Sequence, residues 1–165
     1  MRKFYAVLAM ILVAGVAVQA ASIAFGFGGM LNFIQGGGVV DQAVVEGSGT
    51  GWGEIGFSLH AIVGGAVMPL AALLLLVVSF FVKVRGARMW AAIVLGAVVL
   101  QVAVAFSISD VPFLGLIHGA NAIAVAATAS IAARRMRQAS GSGTGAGPDA
   151  RPPAGERAGT GAVAA

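Results

Sequence analysis

Charged residues are scarce in this 165-residue chain, at 10% of the total, and cysteine is absent. Soluble domains carry about 25% charged residues, because polar groups have to cover their surface. With 59% hydrophobic residues, this chain cannot cover its own surface in water. The absence of cysteine also excludes a small secreted domain held together by disulfides. The composition therefore indicates an integral membrane protein with one small membrane domain.

The positions of the cations argue against nucleic acid as a partner, although the net charge is +4 and the pI is about 10.8. A nucleic-acid interface needs Lys and Arg clustered on one face or interleaved with aromatics. Here the cations stand at the ends of apolar runs and in the C-terminal tail. They are Arg2, Lys3, Lys83, Arg85, Arg88, Arg134, Arg135, Arg137, Arg151 and Arg157. We therefore expect the lipid bilayer, and no nucleic acid, as the main partner.

Four apolar runs without a charged residue inside them dominate the sequence. They cover residues 4–27, 55–82, 89–108 and 111–133. A membrane-spanning helix needs about 20 apolar residues, and open strands cannot satisfy their backbone groups in lipid. We therefore predict an all-α polytopic membrane protein, with four transmembrane helices in an up-down-up-down bundle within residues 1–137.

Two segments are predicted to lie outside the bundle. The first is a Gly-rich outer loop over residues 28–54, whose middle, residues 39–46, forms either a short interfacial helix or part of a flexible connector. The second is a tail over residues 138–165, rich in Ala, Gly, Ser and Pro and without aromatic residues. Such a tail cannot bury enough surface to offset its ordering entropy, so we predict that it is disordered and cytoplasmic.

The charge distribution predicts the orientation of the bundle. If the chain crosses four times, the basic clusters at residues 2–3, 83–88 and 134–137 lie on one side, and the four acidic residues at 41, 46, 54 and 110 lie on the other. The positive-inside rule then places both termini in the cytoplasm, with the protein in the cytoplasmic membrane. Helix 1 has an alternative interpretation as a signal peptide cleaved after Ala20, and intact mass would decide between the two.

One layer of large polar residues is predicted inside the membrane. Counted from the outer helix ends at about 1.5 Å per residue, Gln19, His60, Gln101 and His118 all lie about 7–10 Å deep. The order Gln then His repeats in helices 1–2 and 3–4, which suggests a duplicated helical hairpin. No charged residue lies within a span, which argues against a carboxylate proton relay or a charged ion pathway.

Two interpretations of the histidine pair compete. In one, His60 and His118 are the axial ligands of a b-type haem in the bundle core, and Gln19, Gln101 and Asn121 hold the imidazoles. In the other, these side chains only form hydrogen bonds between helices, in a structural or accessory protein without a cofactor. Two histidines alone are a poor site for a bare metal ion. A solute carrier is a weaker third class.

Helix 2 carries Gly64, Gly65 and Pro69. Glycines would leave room beside a flat macrocycle, but we expect the Gly64-Gly65 pair to serve close packing between helices rather than a ligand. Pro69 lacks the N–H that would bond the Gly65 carbonyl, so the sequence predicts either a kink there or an ordinary tolerated proline.

The residues around the two histidines resemble known membrane proteins. Leu59-His60 with Gly64, Gln101, and Ile117-His118 with Asn121-Ala122 are similar to a family of small four-helix bacterial membrane proteins of unknown function. They also resemble one four-helix half of haem A synthase, in which histidines on helices 2 and 4 ligate haem near the outer face. The resemblance covers residues 4–133 and implies that His60 and His118 are axial ligands.

The same resemblance argues against an enzyme. The half of haem A synthase that performs the chemistry has a glutamate one turn before the helix 2 histidine, where this chain has Phe57. That half often has a cysteine pair in its first outer loop, and this chain has no cysteine. The resemblance therefore implies a haem-holding bundle and not oxidative catalysis, and we expect a role in electron transfer or haem handling. Apart from the resemblance, we expect either a redox partner or a second copy of the chain as the protein partner.

Overall fold

The computed structural model describes residues 1–45 and 51–141 of the chain. Its elements are α1 (Arg2–Gln35), α2 (Gln42–Val45), α3 (Trp52–Ile62), a π-helical turn (Val63–Val67), α4 (Met68–Ser79), α5 (Ala87–Ala105) and α6 (Leu114–Gly141). The π-helical turn joins α3 and α4 into one continuous second span. Four helices in the described residues are long and apolar enough to cross a membrane, so the predicted all-α polytopic bundle is confirmed.

The four spans pack in a ring in the order of the chain. α1 contacts α6 on one side and the second span on the other, and α5 contacts α4 and α6. One end of the bundle carries the start of α1, the α4–α5 connection and the last turns of α6, with the cations at residues 2–3, 83–88 and 134–137. We call it the basic end. The opposite end, with Asp41, Glu54 and Asp110, is the acidic end.

The basic half of the bundle is tightly packed. Its fully buried side chains include Tyr5, Leu12, Leu75, Val94 and Met136, one or more from each span. Small residues let these helices approach one another, as expected where lipid supplies no hydrophobic driving force between helices. The Tyr5 hydroxyl donates a hydrogen bond of 3.0 Å to the Ala87 carbonyl oxygen, which ties the start of α1 to the start of α5.

The acidic half is organised differently, because α3 packs mainly on α1 whereas α4 packs on both α1 and α5. α3 approaches α1 at backbone distance, and a Cβ at Gly56 would overlap the amide nitrogen of Gly26. Beside this contact the Phe27 and Phe57 rings pack edge to face, with centroids 5.5 Å apart. On the acidic side of the π-helical turn, the second span therefore stays in contact with α1 but separates from α5. Space opens there between the α1–α3 pair and the α5–α6 pair.

The helix bounds differ from the predicted ones at several ends. α1 continues beyond residue 27 to Gln35, because Met30, Leu31, Phe33 and Ile34 extend its apolar run into the predicted loop. α6 begins at Leu114 rather than at residue 111, because a proline disfavours the helical conformation of the residue before it, Val111, and residues 112–113 form a turn. α6 also continues to Gly141, so the first four residues of the predicted tail are helical. The rest of that tail, residues 142–165, lies outside the described residues.

Within the predicted outer loop, residues 42–45 form the short helix α2. The Asp41 carboxylate caps its start by accepting a hydrogen bond from the Val44 N–H at 3.0 Å.

The helical irregularity predicted at Pro69 lies in the residues just before this proline. The Met68 N–H bonds the carbonyl of Val63, five residues earlier, which is the π-helical pattern. Pro69 then occupies the first turn of α4, where a missing N–H costs little.

Candidate functional site

A cavity of about 570 Å³ lies between the four spans. Each span contributes one large polar residue to its wall, and these are Gln19, His60, Gln101 and His118. Most of the remaining wall is apolar or glycine, including Ile23, Gly65, Val98 and Gly119. The structure thus brings together the four residues that the sequence placed in one layer. The cavity is also within the range of about 300–1,000 Å³ typical of small-molecule sites.

Both imidazoles are held by backbone carbonyl oxygens of the preceding span. His60 Nδ1 lies 3.0 Å from the Gln19 carbonyl oxygen, and His118 Nδ1 lies 3.2 Å from the Gln101 carbonyl oxygen. A carbonyl oxygen only accepts, so Nδ1 of each ring carries the proton. The Nε2 atom of each ring then keeps its lone pair, which is the tautomer that a metal-binding histidine needs.

The two imidazoles line the same cavity and lie close to each other. Their ring centroids are 6.3 Å apart, and the ring planes are inclined by 48°. A metal ion bonded in line to one nitrogen of each ring at about 2.0–2.1 Å would place the centroids roughly 6.2–6.4 Å apart, counting about 1.1 Å from nitrogen to ring centre. The observed separation falls in this interval.

The amide side chains do not hold the imidazoles, contrary to the expectation for Gln19, Gln101 and Asn121. Gln101 Nε2 instead donates to the His118 carbonyl oxygen at 3.0 Å. Asn121 Nδ2 donates to Gln101 Oε1 at 2.7 Å and to the Ala97 carbonyl oxygen at 2.8 Å. These bonds fasten α5 to α6 beside His118. The part played by backbone carbonyls has no signal in the sequence, because every residue has one.

Gln19 differs from Gln101 in the bonding of its side chain. Its Nε2 atom is buried and has no hydrogen-bond partner within the part of the chain that the structure describes. Its Oε1 atom lies close to Gly64, where a Cβ would be only 2.8 Å away. A buried donor without an acceptor is costly and rare, so it points to an acceptor supplied by a bound molecule.

Glycine and phenylalanine complete the surroundings of the pair. A Cβ added at Gly65 or at Gly119 would meet no atom within 4 Å, so both cavity-lining glycines border open space. Phe57, one turn before His60, packs against Phe27 and Gly26. No group of three or more His, Cys, Asp or Glu side chains converges anywhere in residues 1–45 and 51–141.

No protein-family model, curated protein or solved structure matches the chain.

Proposed function

We propose that this integral membrane protein holds a b-type haem between His60 and His118. The observation that carries the proposal is the imidazole pair, with centroids 6.3 Å apart and both Nδ1 atoms engaged by carbonyl oxygens. Hydrogen bonds between helices explain the two Nδ1 contacts, but they give no reason for two imidazole rings to line one cavity with their centroids at the separation expected for a shared metal ion.

The cavity and its donor set fit a haem better than a bare metal ion. Two imidazoles leave a zinc or iron ion short of ligands, whereas a porphyrin supplies four nitrogens of its own. Gly65 and Gly119 keep side-chain atoms away from the open space beside the histidines. Gln19 Nε2 offers a buried donor to an acceptor on the bound molecule. A haem supplies reversible one-electron chemistry when bound.

The surroundings favour electron transfer or haem handling over oxidative catalysis. If both histidines held the haem iron, no coordination position would remain free for oxygen. The residue one turn before His60 is Phe57, whose ring packs against Phe27 and offers no general acid or base. The resemblance to one half of haem A synthase supports the same non-catalytic assignment.

Spectroscopy of the purified full chain tests the proposal. Protein expressed in haem-supplied cells and purified in mild detergent should show the sharp reduced α-band of bis-histidine haem, at one haem per chain. His60→Ala and His118→Ala should each remove that band. A colourless protein after haem supplementation would overturn the proposal and favour the cofactor-free accessory protein, whose polar residues serve only as interhelical hydrogen-bond partners.

A second pair of variants tests the cavity without touching the ligands. Gly119→Leu should lower the haem content strongly, because the new side chain enters open space beside the pair. Ala120→Leu adds a side chain of the same size at the next residue, which is exposed and does not line the cavity. Its haem content should match that of the parent protein. Equal haem in both variants would place the haem elsewhere.

We also propose that the protein lies in the cytoplasmic membrane with both termini inside the cell. Support comes from the basic end, which carries all eight Lys and Arg of the described residues, while Asp41, Glu54 and Asp110 lie at the other end. Since the chain has no cysteine, a maleimide can label a single-cysteine variant only at the introduced residue. In intact cells an impermeant maleimide should label Ser109→Cys, and it should label Gln138→Cys only after permeabilisation. The reverse pattern would invert the orientation.

A further inference from the structure

A second concavity, separate from the histidine cavity, lies at the basic end between the start of α1 and the end of α6. Its volume is about 630 Å³. Three cationic side chains line it, Arg2 and Lys3 from α1 and Arg137 from α6. Apolar residues of α1, from Ala6 to Ala14, and Met136 of α6 line the rest. We call this concavity the α1–α6 cleft.

The three cations line the same α1–α6 cleft, and no acidic side chain among the described residues lines it with them. Arg2 Nη1 donates to the Ala139 carbonyl oxygen at 3.1 Å, and Arg137 Nη2 contacts the Met10 sulfur at 3.4 Å. A thioether is a weak acceptor, and each guanidinium has five N–H donors. The described acidic residues, Asp41, Glu54 and Asp110, all belong to the acidic end. Three cations gathered in this way favour an anion with several acceptor oxygens.

The apolar part of the cleft has the length of a lipid chain. From Arg2 to Ala14 the α1 helix rises about 18 Å at 1.5 Å per residue. One leaflet contributes about 15 Å of hydrocarbon. Val7 and Ile11 are about half exposed, at 53% and 46%, along this stretch. The cleft therefore combines a cationic site at the membrane surface with an apolar groove running one leaflet deep.

We propose that the α1–α6 cleft binds an anionic phospholipid. The headgroup phosphate lies against Arg2, Lys3 and Arg137, and one acyl chain lies along α1 as far as Ala14. Basic pockets between helices at a membrane surface bind anionic headgroups in this manner. The C-terminal residues 142–165 are a poorer occupant, because their two acidic and two basic residues leave them with no net charge to match the cations.

Native mass spectrometry of the full chain, released from mild detergent, tests this proposal. Phosphatidylglycerol and phosphatidylcholine with the same acyl chains are titrated separately, and inorganic phosphate is titrated in a third series. One phosphatidylglycerol should bind at least about tenfold more tightly than phosphatidylcholine. In the double variant R2Q/R137Q its affinity should fall about 10- to 30-fold, as expected for two basic residues near the surface.

The double variant K83Q/R85Q is the matched control, since it removes two charges at the same end but outside the cleft. It should weaken phosphatidylglycerol binding less than about threefold. Equal weakening by both double variants would overturn the proposal, because the attraction would then be one of net charge only. A dimer that R2Q/R137Q dissociates, without bound lipid, would assign the cleft to a second copy of the chain.

A change in the apolar part distinguishes a lipid from a free phosphate. Ala14→Trp fills the groove and leaves all three cations in place, so phosphatidylglycerol binding should fall while any phosphate binding is unchanged. Ala92→Trp, at an exposed position of α5 outside the cleft, should leave both unchanged. Phosphate binding as tight as that of phosphatidylglycerol, or a full affinity for the lipid in Ala14→Trp, would show that no acyl chain lies in the cleft.

Discussion

Replacing each of the two glutamines by leucine should affect the stability of the cofactor-free protein very differently. The Gln101 side chain makes two hydrogen bonds, to the His118 carbonyl oxygen and from Asn121 Nδ2. Hydrogen bonds between membrane helices contribute about 0.6 kcal/mol each on average. Gln101→Leu should therefore lower the free energy of unfolding by about 1.2 kcal/mol, a roughly eightfold change in the unfolding equilibrium.

Gln19→Leu has no such bonds to lose, since Gln19 Nε2 has no partner within the described residues. Removing a buried donor that lacks an acceptor relieves a desolvation cost, so this variant should be as stable as the parent protein or slightly more stable. Leucine is close to glutamine in size, which makes the pair a matched comparison.

Unfolding of the colourless protein in mixed micelles, by titration with a denaturing detergent, measures both effects. The cofactor has to be absent, because a ligand that binds only the folded state would stabilise all variants and obscure the difference. Equal losses in the two variants would refute the assignment of the hydrogen bonds. With haem bound the order should change, and Gln19→Leu should lose part of the stabilisation that haem gives the parent protein.

Three further outcomes follow from the packing. Tyr5→Phe should lower the free energy of unfolding by about 1 kcal/mol, since the Ala87 carbonyl oxygen loses its buried donor, and the same titration would detect it. Gly56→Leu should prevent folding because a Cβ overlaps the Gly26 backbone, whereas Gly28→Leu should fold normally because a Cβ there meets nothing within 4 Å; size-exclusion profiles of the two variants compare them. Intact mass of the mature protein should include residues 1–20, because Tyr5, Leu8, Ala9 and Leu12 are buried parts of the core, and a product starting at Ala21 would contradict this.

Hydropathy was sufficient to predict the four spans and their polar layer. Length and apolarity decide which segments cross a bilayer, and the rise per helical residue converts a position along a span into an approximate depth. For this reason Gln19, His60, Gln101 and His118, which are distant in sequence, could be assigned to one layer before any contact was known. The helix ends were less predictable, as the eight additional residues of α1 up to Gln35 show, because apolar loop residues and helical residues have the same composition.

The hydrogen bonds of the site could not be predicted from residue types. An amide side chain and a backbone carbonyl both accept from an imidazole, and only the distance between two helices decides which one reaches it. At His60 and His118 the helices are close enough for the carbonyl oxygens of Gln19 and Gln101. The π-helical turn before Pro69 could not be predicted from the sequence either, since a proline indicates that the helix is irregular but not which irregularity forms.

The two halves of the histidine site are similar in sequence but unequal in rigidity, and this inequality predicts a difference between the two histidines. Three residues after His118, Asn121 donates a hydrogen bond to the Gln101 side chain. Three residues after His60 the chain has Val63, which has no polar side chain and begins the π-helical turn.

His118 therefore belongs to a helix pair, α5 and α6, that side-chain hydrogen bonds hold together. His60 lies next to the π-helical turn, whose irregular backbone adjusts more readily. We expect His60→Ala to keep a five-coordinate, high-spin haem on His118, and His118→Ala to lose most of its haem. Haem content and high-spin absorbance of the two variants measure this, and equal retention of haem would refute the inequality.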